Sequence, residues 1–299
     1  MTHVLVTGAS GFVGQQVVRA LIDRGHTVVA LTHHAELPKS MRGQVGVTGV
    51  QGDVGKPETL RAAMSGIDTV IHLVGIIREF PGQGITFQKL HHEATVNVVD
   101  AAKAAGLRRY IHMSALGTRA DAKSGYHQTK WTAEEYVRAS GLDFTIFRPS
   151  LIYGIGDGFT STMVPLAKAP FFPVIAGGQT KAQPIAIADV AAGFAKAIDM
   201  PQTIGQTYDV TGPETFTYKE IYRHIAEALG RPFRPLNIPV WAVTPQAMLL
   251  QYQPWFPLTM NQLTMLAENN TGDQETYAQV FGIDRTRFVE GLAFLHPKK

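Results

Sequence analysis

Residues 1–14 read MTHVLVTGASGFVG. Val4, Leu5 and Val6 form an apolar run without a polar break, which predicts a buried strand over 3–7. Gly8, Gly11 and Gly14 follow at G-x-x-G-x-x-G spacing, and Phe12, Val13, Val17, Val18, Leu21 and Ile22 then recur as on one face of a helix. Strand, glycine turn and helix together make the opening of a dinucleotide-binding βαβ unit. The ligand explains the residue types, because a pyrophosphate needs backbone N–H donors at a helix N-terminus. Side chains at Gly8 and Gly11 would hold the phosphates away, and Gly14 lets the helix lie close on the strand. The spacing departs from the commoner G-x-G-x-x-G, and glycines alone would suit a plain βα turn. Their position between strand and helix decides for the nucleotide.

Further strands are expected over 27–31, 45–50, 69–74, 110–113 and 144–147, with helices over 87–105 and 126–140 between the later ones. This alternation argues an α/β, Rossmann-type doubly wound parallel sheet. An acidic residue at the end of the second strand would bind the ribose 2′-hydroxyl of NAD. Here Thr32-His33-His34 stand instead, followed by Glu36, Lys39 and Arg42, which favours NADP over NAD; the plainer reading makes the histidines solvated loop residues. Asp53, after the third strand, suits the adenine amino group or, alternatively, the N-cap of the next helix. The 76–84 loop, at a strand's carboxyl end, belongs beside the cofactor. Across the unit the candidate cofactor contacts are Thr7, Gly8, Ser10, Gly11, Phe12, Gly14, His33, Asp53, Val54, Leu73, Gly75, Lys130 and Pro149.

The chain's 299 residues, 45% hydrophobic, allow one large domain or two modest ones. A net charge of +3 without a Lys/Arg-rich run gives no sign of nucleic-acid binding. The absence of cysteine removes disulfides, thiolate catalysis and Cys-ligated zinc together, and fits a reducing compartment. Adjacent His33-His34 and His91-His92 do not share a helix face and no H-E-x-x-H occurs, so no metal site is expected. With a strand starting at residue 3 and no apolar run of about 18 residues, neither a signal peptide nor a membrane span is expected. The expected location is cytoplasmic, with contact at the inner face of a membrane left open.

Ser114, Tyr126 and Lys130 are the candidate catalytic residues. Ser114 follows the fifth strand, where open α/β sheets place ligands. Tyr126 and Lys130 are four apart on a helix and share a face. A phenol titrates near 10, and bringing it toward 7 requires about 4 kcal/mol of preferential phenolate stabilisation. A neighbouring ammonium, together with a positive nicotinamide, supplies such stabilisation. In this scheme Ser114 holds the substrate oxygen, Tyr126 exchanges the proton, and Lys130 tunes it. Taken alone, Y-x-x-x-K reads as a helical surface pair; the glycine turn and the strand-end serine change that reading.

With these motifs the chain resembles the short-chain dehydrogenase/reductase superfamily: T-G-x-x-G-x-x-G at 7–14, Gly52-Asp53, Ser114 and Y-H-Q-T-K at 126–130. Arg148-Pro149 with Tyr153-Gly154, and Q-P-I-A-I-A-D-V at 183–190, are similar to its extended and atypical branches. G-P-E-T-F-T-Y-K-E-I at 212–221 and P-L-T-M-N-Q-L at 257–263 narrow the resemblance. They point to the atypical group that includes the nucleotide-binding accessory subunit of mitochondrial complex I and its bacterial relatives. The resemblance extends over essentially the whole chain. It implies the fold and NADPH binding but often not catalysis, and some members of the group lose the tyrosine or lysine. This sequence keeps both, and it lacks a basic presequence, which suits a bacterial relative. Two readings follow: an NADP-dependent oxidoreductase or epimerase acting on an apolar carbonyl or hydroxyl substrate, or a structural or assembly protein that holds NADPH.

The expected division is a cofactor-binding part over 1–152 and a smaller substrate-covering region over 153–299, with 183–210 returning to the first. Asp189 is expected to cap a helix over 189–198 or to position a loop. A short strand is read at 208–210, an amphipathic helix at 218–229 and a last helical piece at 276–295. Residues 239–260 carry Trp241, Met248, Leu249, Leu250, Trp255 and Phe256. Packing over the substrate pocket is the leading expectation for them; the other is an exposed patch that meets a membrane or a protein partner.

Overall fold

The computed structural model describes residues 1–34 and 36–296. Six strands and four helices build the first half: β1 (His3–Thr7), α1 (Phe12–Asp23), β2 (Thr27–Thr32), β3 (Val47–Gln51), α2 (Pro57–Ala63), β4 (Thr69–His72), α3 (Ala94–Ala104), β5 (Arg109–Met113), α4 (Gly125–Ala139) and β6 (Asp143–Pro149). The second half adds β7 (Ile152–Tyr153), α5 (Gly158–Lys168), β8 (Phe172–Ile175), β9 (Lys181–Ala182), β10 (Ile185–Ala186), α6 (Ile187–Ala197), β11 (Gln206–Val210), β12 (Phe216–Thr217), α7 (Tyr218–Ala228), β13 (Pro235–Ile238), α8 (Val240–Leu250), α9 (Met260–Leu266), α10 (Thr276–Phe281) and α11 (Phe288–Gly291).

Seven strands form one parallel sheet in the order β11-β6-β5-β4-β1-β2-β3. β4 is buried at every position and β1 at all but its first, so the strands read as apolar runs rather than alternating ones. Alternate residues feed two cores. Val4, Val6, Val28 and Ala30 join Val17, Val18 and Leu21 of α1, Val190 and Phe194 of α6, and Tyr277 and Phe281 of α10. Leu5, Leu31, Val70 and Tyr110 join Leu60 of α2, Val98 and Val99 of α3, and Val137 of α4. A third core, with Tyr153, Phe172, Ile221, Tyr222, Phe288 and Leu292, fills the C-terminal part. The order of connection reverses between β1 and β4, and a sheet of this kind takes its ligand at the carboxyl ends of those two strands.

Three local expectations are corrected. The helix read over 87–105 contains a widened π turn at Gln88–Glu93 before α3, closed where Thr95 Oγ1 donates to the His91 carbonyl. The piece read over 276–295 is broken: α10 stops at Gly282 (φ 55°), and α11 is followed by a 3₁₀ turn at Leu292–Leu295. The leading expectation for 239–260 also fails. Trp241 is 77% exposed, Leu249 80% and Trp255 70%, and in α8 Ala247 alone is buried. The third core closes without them, so their apolarity is not used for packing within the chain.

Candidate functional site

Gly8 takes a left-handed φ of 71°, and a Cβ there would lie 3.2 Å from the Leu73 carbonyl carbon and the Val74 nitrogen. The turn after β1 therefore presses against the end of β4. A Cβ at Gly14 would run into the Gly8 carbonyl oxygen and come within 2.7 Å of Ala9 Cα, so this glycine lets α1 start directly over the turn. Gly11 is the N-cap of α1 and no side chain caps it, which leaves the first-turn N–H groups free for an anion. A cleft of about 590 Å³ continues past the end of β2, lined by Ser10, Thr32, His33, His34, Glu36, Leu37, Pro38 and Arg42. Uncapped helix, glycine turn and cleft together fit a dinucleotide.

Within this frame Gly8, Ser10, Gly11, Gly14 and His33 gather around the turn and cleft. Phe12 is half-buried at the start of α1, beside Gly154. Asp53 is not an N-cap: Lys56 holds that position in α2, without a side-chain bond. Instead Asp53 Oδ1 accepts from Gly55 N–H at 2.8 Å, and Oδ2 lies 4.0 Å from His33 Nδ1. Val54 and Leu73 are buried, and the Val54 carbonyl accepts from Asn97 Nδ2 at 2.9 Å. The Pro149 carbonyl accepts from Leu116 N–H. The Thr7 hydroxyl is not brought to the cleft; it is fully buried and bonded to His72 Nδ1 at 2.7 Å, on the side of the sheet covered by α2 to α4. Arg42, one of the basic residues read as favouring NADP, lines the cleft but bonds Glu36 at 2.6 Å and the Leu37 carbonyl at 2.7 Å.

The second half of the site is built on α4, whose N-cap Ser124 accepts from His127 N–H. Lys130 is buried, and its Nζ donates to the Met113 carbonyl at 3.0 Å, at the carboxyl end of β5. A Cβ on Gly75 would lie 3.0 Å from Nζ, so the glycine after β4 makes room for the ammonium. Ser114 is buried, with Oγ 3.4 Å from Thr118 Oγ1. Tyr126 is half-buried, enclosed edge-on by His91 (ring centroids 5.2 Å apart), Phe87 (5.7 Å) and His127 (5.2 Å). Its hydroxyl bonds no described residue.

The electrostatics depart from the simple scheme. Burial pushes the Tyr126 phenol up to about 12, the opposite of the lowering expected from Lys130. Burial also brings Lys130 down to about 8, against the raising influence of Glu134. Beneath the site His72, His112 and Tyr110 stack along the sheet, and His72 Nε2, both His112 ring nitrogens and Tyr110 Oη lack a partner among the described residues. Burial holds His72 at about 3 and His112 well below the usual range, so both stay neutral next to the lysine.

One residue of the site escaped the sequence reading. His91, considered only as half of an adjacent histidine pair, lies in the π turn, buried and stacked on Phe87 at 5.1 Å. Assigning the proton to Nδ1, it donates to Thr129 Oγ1 (2.9 Å) and accepts Ile76 N–H on Nε2 (3.1 Å). Burial and the neighbouring Lys130 take it down to about 2, so it is neutral. It ties the loop after β4 to α4 beside Tyr126. Only the extra residue of the π turn brings it there, and a regular helical repeat gives no sign of that. Among the described residues no group of three or more His, Asp or Glu side chains could hold a metal ion.

Known proteins resemble this chain in sequence and fold. The model of a family described as NAD(P)H-binding matches residues 8–201. Subunit 9 of the NADH dehydrogenase [ubiquinone] 1 alpha subcomplex from Arabidopsis thaliana mitochondria is 30% identical over 282 residues, covering 91% of this chain and 69% of that one. A ceramide reductase from Caulobacter vibrioides is 32% identical over 238 residues, covering 79% and 73%. A nucleoside-diphosphate-sugar epimerase from Staphylococcus aureus has the same fold, with a TM-score of 0.80 at 19% identity over 97% of this chain and 99% of that one.

Proposed function

The chain belongs to the NAD(P)H-binding family, within the short-chain dehydrogenase/reductase type, and from that premise we propose that it is an NADPH-preferring reductase of an apolar carbonyl substrate. The observation that carries this reading is the buried Lys130, held between the Met113 carbonyl and Gly75 and one turn from a phenol whose hydroxyl has no partner among the described residues. A buried ammonium costs stability, and perturbed groups of this kind concentrate at functional sites. The turn of Gly8, Gly11 and Gly14 would hold the pyrophosphate, and the cleft beyond β2 the adenosine end. When bound, NAD(P)H supplies the hydride. Ser114 positions the carbonyl oxygen. Tyr126, protonated because its phenol titrates at about 12, gives that oxygen its proton. Lys130 then favours the phenolate left behind. This protonation favours the reductive direction over alcohol oxidation.

The preference for NADPH rests on the lack of a carboxylate at Thr32-His33-His34, since Arg42 in the cleft wall is paired with Glu36. Stopped-flow fluorescence tests both cofactor and class. An enzyme releases its cofactor at least as fast as it turns over, on the order of 1 to 1,000 per second. NADPH is expected to leave on that scale and to bind more tightly than NADH. Release over many minutes would sink the enzyme reading and leave NADPH as a fixed part of a structural protein, as the exposed apolar residues around α8 would suit. Tighter NADH binding would refute the preference.

A pH dependence follows from the same pair. Lys130 carries its charge below about 8 and loses it above. The reductive kcat therefore declines as pH rises through about 8, while Tyr126 keeps its proton across that range. A kcat unchanged across that window would mean that the Lys130 charge takes no part. Stability moves in the other direction. Between about 8 and the ordinary 10.5 the unfolded lysine holds a proton that the folded one has released, so this group's contribution to stability rises with pH.

A further inference from the structure

From Pro235 to Ala267 the chain contains no Asp, Glu, Lys, Arg or His. This stretch includes α8, which is apolar on all sides apart from Thr244 and Gln246. A helix apolar all round belongs in a core or in lipid, yet α8 buries only Ala247. Within it Val240, Trp241, Met248 and Leu249 are exposed, and on either side of it Leu236, Tyr252 and Trp255 are exposed as well. We propose that this face docks on the surface of an anionic lipid bilayer, with α8 lying in the interface.

Three observations select lipid over a second copy or a protein partner. One side of α8 rests on the protein through Ala247, with Ala242, Val243 and Leu250 half-buried, and the side left open carries exposed Trp241, Met248 and Leu249 with no charged residue to pair with a protein partner. Its 11 residues are too few to span, and no helix among the described residues is long and apolar enough to cross a membrane, so the helix lies in the interface plane. Trp241, Tyr252 and Trp255 are the residue types that anchor at the headgroup level. The charges around the face fit an anionic surface. Lys168, Arg231 and Arg234 flank the β8–β13 ribbon, where Phe171 and Leu236 are exposed. All three cations are exposed, and none forms an ion pair among the described residues.

The face is joined to the reaction site at two points. Arg78, in the loop after β4, donates to the carbonyls of Gln253 (3.3 Å) and Phe256 (2.5 Å). Asn261 Oδ1 accepts from Gly125 N–H at 2.9 Å, at the start of the helix that carries Tyr126. A bilayer against α8 therefore lies next to segments bonded to the loop after β4 and to the start of α4.

Cosedimentation with vesicles tests the proposal, whether or not the protein transfers hydride. Vesicles of phosphatidylglycerol and phosphatidylcholine in a one-to-three ratio are compared with phosphatidylcholine alone. The protein is expected to partition onto the anionic vesicles, with Trp fluorescence shifted to the blue, and more weakly onto neutral ones. Trp241→Glu and Leu249→Glu should each lower the partition coefficient by about tenfold or more, and Arg231→Glu with Arg234→Glu should remove the preference for anionic lipid. Unchanged NADPH release would show that each variant is folded. Failure of the unaltered protein to bind would overturn the proposal, as would partition unaffected by both apolar substitutions. A free protein that sediments as a dimer and is split by Trp241→Glu would assign the face to a second copy and overturn it equally.

Discussion

Tyr126→Phe is expected to lower the rate of carbonyl reduction by about 10²- to 10⁴-fold, the usual contribution of a positioned acid, while leaving NADPH affinity and release unchanged. The substitution removes one oxygen. That oxygen bonds no described residue, so its loss leaves no partner unsatisfied, and the ring keeps its contacts with Phe87, His91 and His127. The same cage explains why the effect falls on kcat: the ring is held by its edges and has no need of the hydroxyl to stay in place. Single-turnover reduction with saturating NADPH isolates the chemical step. A rate within threefold or so of the unaltered protein would remove Tyr126 as the acid and leave Ser114 or a water in that role.

Glu134→Ala should be the most destabilising of the single substitutions considered. Glu134 is fully buried in α4, and its carboxylate accepts from Arg148 Nε at 2.8 Å, from Arg148 Nη2 at 2.6 Å and from Arg138 at 2.6 Å. Arg148 comes from β6, so this cluster locks the helix bearing Tyr126 and Lys130 onto the sheet. Both guanidinium groups also lie over the Trp131 ring, at 5.3 and 6.0 Å. Truncation leaves the half-buried Arg148 without its anion, while Arg138 keeps its 2.6 Å pair with Glu135; losing one partner of a buried pair costs about 3–5 kcal/mol and lowers the melting temperature by roughly 10 °C for a chain of this size. Calorimetry measures this directly. A shift under about 2 °C would show that water replaces the carboxylate without loss.

The parts legible in the sequence were those set by local geometry. Gly8 and Gly14 lie where a short turn between a buried strand and a helix demands them, and Tyr126 and Lys130 share a face because four residues make about one turn. Ser114 follows from the strand it ends. What was not legible depends on residues far apart in the chain. The π turn moves His91 onto Tyr126 through contacts with Ile76 and Thr129, and neither neighbour is marked by spacing. The rise of Tyr126 toward 12 follows from how deeply the ring is enclosed, whereas sequence spacing suggested only the nearness of a cation. Trp241 and Leu249 read as core because an apolar run looks the same whether protein covers it or not. Arg42 read as a free cation for a phosphate, and its bond to Glu36 appears only once the loop is folded.

The two cores against the central sheet also differ in when they can form. α2, α3 and α4 all come from residues before 140, so their side of the sheet can close while the chain is still being made. The other side waits: α1 is covered by α6 and α10, whose residues lie beyond 186 and 275. At about 5–20 residues per second of synthesis, the interval between α1 and α6 is on the order of 10 s. Throughout it Val17, Val18 and Leu21 have no partner helix. The glycine turn leads into α1 on this late side, so the helix placed to hold the pyrophosphate is covered last, although it is the first helix made.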